Sequence, residues 1–298
     1  MRVAYIAENI HPGHWLRLDT LKEKVELDII KVRGLVRVSH VTKVYDLAIS
    51  EGLRPTPVAI LLRRARIIKK LYMVALSPAI NSRKFRILSH HVNGIIAVSS
   101  LVKSLIQRQG YNRPIYILHP SPPEIDLFLP VSPCYDSHNL CFIGAPAYYK
   151  GGDRLKALIK EVRKEVPQAK LFLIGGKLEA EGIVSLGRIS QKDKLRILAN
   201  CSLYVHPARL DAFAISVLEA MAAGLIPVVT PTTGSAEVVV QVDPSLVVGF
   251  NKMPHKVIEL LNRDLSKLSE KCKEVALKHR SRVISEVDTL LHTLVSET

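Results

Sequence analysis

The sequence predicts an α/β protein made of two doubly wound, Rossmann-like halves. Three observations carry this. Short β-rich runs alternate with helical stretches along the whole chain, the pattern of parallel strands joined by crossover helices. The chain has 298 residues, enough for two domains at roughly 150 residues each. One stretch breaks the alternation: His119 to His138 holds five prolines and no period, which reads as a linker. One domain is therefore expected over residues 1–130 and a second over 131–298.

The elements follow in order. In the first half, Val3–Ala7, Glu26–Val32, Tyr45–Ser50, Leu71–Leu76, Gly94–Val98 and Pro114–Leu118 read as strands. Leu16–Lys24, Pro57–Ile67 and Ser99–Gln109 read as helices, the last with a serine cap and Gly110 just past its end. Beyond the linker come strand Asn139–Gly144, helix Gly152–Glu165 and strand Ala169–Gly175. Helix Gln191–Ala199 and strand Leu203–His206 follow, and Ile215–Ala223, Leu225–Thr230 and Ser235–Val240 keep the rhythm. The chain closes in a long amphipathic helix near Leu265–Leu294, apolar at Leu268, Cys272, Val275, Val283, Val287, Leu290 and Leu294.

Composition narrows the function classes. Apolar residues make up 48 % and charged residues 23 %, values of a globular chain rather than a disordered one. No apolar run approaches the roughly 18 residues of a membrane span. Met1-Arg2 followed by a short strand lacks a signal-peptide layout, so a cytoplasmic location is expected. Cys134, Cys141, Cys201 and Cys272 form no C-x-x-C pair and read as structural thiols. The 11 histidines show no ligand spacing, so neither metal nor cofactor is expected. Aromatics at 5 % and the lack of helix-turn-helix, zinc or aromatic-strand signatures argue against a nucleic-acid partner.

The net charge is +15 and uneven: residues 1–130 carry 20 Lys+Arg against 9 Asp+Glu. Two clusters hold the excess, Arg63, Arg64, Arg66, Lys69, Lys70 and then Arg83, Lys84, Arg86. Such a field attracts anions: nucleic acid, an acidic membrane face or a phosphorylated or otherwise anionic acceptor. A solvated basic surface with no dedicated partner is the other reading.

The chemistry concentrates in Leu203–Val229. A strand ends at His206-Pro207, a tight loop follows, and a helix starts near Ala214–Ser216. The first N–H groups of a helix lack intrahelical partners and favour negative charge. Ala212 and Ala214 allow close backbone approach, while Asp211 precedes the helix and Glu219 lies just inside it. These acids could hold opposite ends of one extended anion. An N-cap aspartate with a solvated glutamate is the other reading of the same spacing.

This stretch resembles the E-x7-E segment of retaining glycosyltransferases with the GT-B fold, of the family 4 type, P-S-x-x-E-G-F-G-x-x-x-L-E-A-M-A-x-G-x-P-V-V. The matching residues are Pro207, Phe213, Leu218 to Ala222, Gly224 and Pro227 to Val229, with Asp211 at the first acidic position. Thr233 to Glu237 resembles the family's G-G-x-x-E turn, and Phe142 to Gly151 its G-R-x-x-x-x-K-G loop. The resemblance covers residues 90–298 well and 1–90 loosely.

It implies transfer of a sugar from a UDP- or GDP-linked donor to an acceptor hydroxyl, with retention, by a hexosyltransferase needing no metal. Lys150 and the N–H groups of Phe213, Ala214, Ile215 and Ser216 would meet the diphosphate beside the small Ala212, with Glu219 on the ribose and Asp211 on the sugar. The last helix would return to the first domain. Three departures stand out: Asp211 replaces a longer Glu, Ala145 replaces an arginine, and Ser77 stands where the family has a histidine. Arg154 or Arg209 could supply the missing phosphate cation. His11 or His14, in the Glu8–His14 loop with Gly13, could stand in for the histidine. The rival readings are a sugar-nucleotide epimerase and an impaired sugar-nucleotide or nucleic-acid binder. A glycoside hydrolase is disfavoured, because both acids fall on the donor side.

Overall fold

The computed structural model describes residues 1–10, 14–32, 41, 43–76 and 79–296. The chain divides into two compact units. One comprises Met1–Pro123 together with the chain from Arg282 onward, the other Glu124–Ser281.

The first unit is a six-stranded parallel sheet. Its strands are β1 (Arg2–Ala7), β2 (Glu26–Lys31), β3 (Tyr45–Glu51), β4 (Ile68–Ala75), β5 (Gly94–Ala97) and β6 (Ile115–Ile117), in the order β2-β1-β3-β4-β5-β6. Helices α1 (Trp15–Lys24), α2 (Thr56–Arg64), α3 (Arg83–Ser89) and α4 (Ser100–Arg108) connect them. β1 is buried along Val3–Ala7, the continuous apolar run of a strand covered on both faces. Ser99 caps α4 as its sequence promises, accepting from the Val102 N–H at 3.2 Å.

The second unit is a five-stranded parallel sheet of β7 (Leu140–Ile143), β8 (Leu171–Ile174), β9 (Ile183–Gly187), β10 (Leu203–His206) and β11 (Ile226–Val229), ordered β11-β10-β7-β8-β9. Its helices are α5 (Gly152–Glu165), α6 (Gln191–Ala199), α7 (Ile215–Ala222), α8 (Ala236–Val239) and α9 (Met253–Leu261). β7 pairs with β8 on one edge and with β10 on the other. The strand order therefore reverses between β7 and β10, where open parallel sheets place ligands beyond the strand C-termini.

The proline-rich segment is more structured than a linker. Short 3₁₀ turns form at Ile125–Leu127 and Tyr135–Ser137, and Ile125 and Phe128 are buried. Prolines deny this stretch a regular ladder but not a hydrophobic anchor. The terminal helix, α10 (Ser266–Ser296), buries Cys272, Val275, Val283, Val287, Leu290 and Leu294, all on the expected stripe. Within the first unit, Glu286 of α10 accepts from the His119 N–H at 3.0 Å and its ring Nδ1 at 2.7 Å, and from Arg282 at 2.8 Å. Burial raises the Glu286 carboxyl's pKa, but His119 and Arg282 outweigh it and bring the net value down. No helix among the described residues is long and apolar enough to cross a membrane.

Candidate donor site

Two loops leave adjacent strand ends at the switch point of the second unit. The first runs from Gly144 through a 3₁₀ turn, Tyr148–Lys150, to Gly151. Gly144 has φ +136°, and Lys150 Nζ lies 3.6 Å from where a Cβ would stand; a side chain there would strain the backbone and crowd the ammonium. Gly151, at φ +79°, turns the chain into α5. The second loop runs from Pro207 to the N-cap of α7 at Ala214, which no side chain caps. Of the first N–H groups of α7, that of Val217 donates to the Ala214 carbonyl at 3.0 Å; those of Ile215 and Ser216 have no intrahelical partner.

Arginines stitch the loops together. The N–H groups of Arg209 and Leu210 both donate to the Tyr149 carbonyl, at 2.8 and 3.1 Å. The Arg209 guanidinium grips Asp153 through two bonds of 2.7 and 2.8 Å and lies 3.7 Å from the Tyr148 ring centre. Arg154 donates to the Pro207 and Ala208 carbonyls at 3.1 and 3.3 Å and covers the Phe250 ring. Both guanidiniums named as phosphate cations therefore brace the loop.

Asp211 is held from three sides. Its Oδ2 lies 3.1 Å from His206 Nε2 and 3.6 Å from Lys150 Nζ, and the Phe213 N–H also donates to the carboxylate. A carboxylate only accepts, so His206 Nε2 carries the proton and Nδ1 faces the Tyr204 hydroxyl at 3.4 Å. Tyr204 joins Ser216 of α7 at 2.8 Å, and Phe142 stacks on the imidazole. Burial raises the Asp211 pKa, but the His206 bond, the charges of His206 and Lys150 and the Phe213 N–H prevail, so the carboxyl is net lowered and stays ionised. Asp211 does not cap α7; that position belongs to Ala214.

Lys150 and Asp211 are thus brought together. Ala212, Phe213 and Ala214 are buried, with Ile215 opening α7. Glu219 sits one turn inside α7, and Lys194 of α6 reaches both its oxygens at 3.2 and 3.1 Å. His14 belongs to the first unit. Its Nδ1 lies 2.6 Å from Glu51 at the end of β3, whose other oxygen accepts from the Tyr5 hydroxyl at 2.7 Å. His11, Gly13 and Ser77 lie outside the described residues.

Sequence reading missed His206, Lys194 and Glu51. His206 ends an apolar strand and reads as core; its only signal is the Pro that follows. Lys194 and Glu51 pair with residues 25 and 37 positions away, a separation no local pattern encodes.

Residues 136–279 match the family model described as Glycosyl transferases group 1, within the second unit. The whole chain has the GT-B fold of glycosyltransferases. It superposes on sucrose-phosphate synthase from Thermosynechococcus elongatus with TM-score 0.78 and 14 % identity, covering 100 % of both chains. HepE of Anabaena in complex with UDP gives 0.75 and 14 %, covering 99 % of this chain and 100 % of that one. TarM of S. aureus gives 0.68 and 14 % over 83 % of this chain, which spans only 54 % of TarM's length. None of the curated proteins matches in sequence.

Proposed function

We propose that the protein is a retaining hexosyltransferase. It moves a sugar from a nucleoside-diphosphate sugar to an acceptor hydroxyl without a metal, the second unit taking the donor and the first the acceptor. One observation carries this reading: at the β7/β10 switch point, an ionised Asp211 shares its oxygen with Lys150 beside the uncapped N-terminus of α7. In this reading Lys150 and the α7 N–H groups take the departing diphosphate. That group gains charge in the transition state, so fixed donors there speed the chemical step. Asp211, oriented by His206, receives sugar hydroxyls, and Glu219 receives ribose hydroxyls. The UDP complexes of HepE support a uridine donor. His14, with the Gly13 loop, would stand on the acceptor side.

The acceptor is proposed to lie at an anionic membrane face, with the protein cytoplasmic and peripheral. Leu61 of α2 is 47 % exposed and Ile87 of α3 51 % exposed, each set among the basic residues already named. Arg63 donates to the His91 carbonyl at 3.0 Å, joining α2 to the chain just after α3. Apolar and basic side chains together suit the surface of an anionic bilayer.

The test is release of nucleoside diphosphate from UDP-, GDP- and ADP-sugars with lipid and soluble hydroxyl acceptors, with and without EDTA. Acceptor-dependent release that survives EDTA and yields a retained anomer supports the reading. Isomerisation of the donor without an acceptor would replace it with an epimerase.

A further inference from the structure

Lys194 is more than a surface counter-ion. It and Glu219 are largely enclosed, with side chains 15 % and 18 % exposed. Its ammonium donates to both carboxylate oxygens, at 3.2 and 3.1 Å, and lies 4.9 Å from the centre of the Phe128 ring. Two oxygens and one aromatic face fix the position of the three-donor ammonium. The pair joins α6 to α7, yet an enclosed ion pair adds little stability over apolar side chains of similar volume. Its geometry does favour a ligand. An ionised carboxylate offers about four lone-pair sites; Lys194 engages each oxygen once and leaves each able to accept again. Two neighbouring acceptors match the two O–H donors of a vicinal diol.

We propose that Lys194 is a positioning residue for nucleoside recognition. It holds Glu219 so that both oxygens accept from the 2′- and 3′-hydroxyls of ribose, and the site prefers ribonucleoside diphosphates over their 2′-deoxy counterparts. The inference rests on the donor reading of Glu219. Without Lys194 the carboxylate loses its fixed rotamer and the diol loses its paired acceptors. Discrimination then falls more than affinity for the rest of the nucleotide.

Titration calorimetry of the full chain with UDP, GDP and ADP, each against its 2′-deoxy form, tests this. Wild type should prefer the ribo form of its nucleotide by about tenfold, the effect of one hydrogen bond to a charged group. Lys194→Met should reduce that ratio to about twofold or less, whereas Lys194→Arg, which keeps the donors, should retain most of it. If Lys194→Met does not fold, Lys194→Gln reads the same ratio. A merely structural role would weaken both forms equally, so an unchanged ratio in the variant overturns the proposal. Wild type that binds a nucleotide without ribose preference also overturns it and leaves the donor reading standing. Wild type that binds none of the three overturns the donor reading itself.

Discussion

The two units are built alike and differ in how they hold their charged groups. In the second unit, Lys150, Asp211, His206 and the α7 N-terminus converge from loops pinned by Arg154 and Arg209. In the first, His14 and Glu51 also meet at the strand C-termini, because β1 and β3 are sheet neighbours. That pair is buried, and the unit's excess charge lies elsewhere, on α2, α3 and their flanks. A diphosphate presents the same oxygens whatever sugar it carries, so a donor site reuses one arrangement of lysine, helix terminus and acids. Acceptors share no such group, and a site for them has no common pattern.

The largest effect that sharpens this contrast is on turnover. Lys150→Ala should lower kcat about 10²–10³-fold, the range for losing one preorganised donor to a developing anion, with a much smaller change in KM. Steady-state kinetics decide it: a loss confined to KM would place Lys150 in ground-state binding only.

Nucleotide affinity comes next. Glu219→Ala should weaken nucleoside-diphosphate binding by about 1.5–3 kcal/mol, as for a hydrogen bond to a charged group, while His14→Gln should leave it unchanged. Equal losses in calorimetry would break the division of labour between the units.

Acid sensitivity sharpens the first unit's side. Burial raises the Glu51 pKa, but His14, Tyr5 and Arg17 overcome it and lower the net value. A carboxyl lowered on folding contributes stability above its unfolded pKa of about 4.3 and loses it as pH falls through the folded value. Urea titrations from pH 7 to pH 3 should show a shallower acid decline for Glu51→Gln than for wild type. Parallel declines would mean that the ionised Glu51 adds nothing.

Membrane attraction is the smallest effect per residue. Each basic side chain near an anionic bilayer contributes about 1 kcal/mol, fading within a Debye length of roughly 8 Å. Reversing Arg63, Arg64 and Arg66 to Glu should abolish pelleting with anionic vesicles at low salt. Wild type that never pellets contradicts the membrane reading.

Much of this frame was legible in the sequence. α5, α6 and β10 fall on the predicted residues, since each has a glycine or serine boundary and an unbroken period. α3 and α9 did not announce themselves. α3 has seven residues and buries little beyond Phe85 and Leu88, too few for a helical period. α9 carries a proline in its first turn and buries Lys256, which mimic a loop. In the site, Lys150, Asp211 and Glu219 were visible as motif positions. Their partners His206 and Lys194 were not, because a partner across the fold is chosen by packing.

The central claim is that the donor's diphosphate lies between Lys150 and the N-terminus of α7. A crystal structure of the protein soaked with UDP, GDP or ADP tests it most directly. The account predicts diphosphate oxygens within hydrogen-bond distance of Lys150 Nζ and of the Ala214–Ser216 N–H groups, with ribose on Glu219. A nucleotide bound elsewhere, with Lys150 still resting on Asp211, would contradict it.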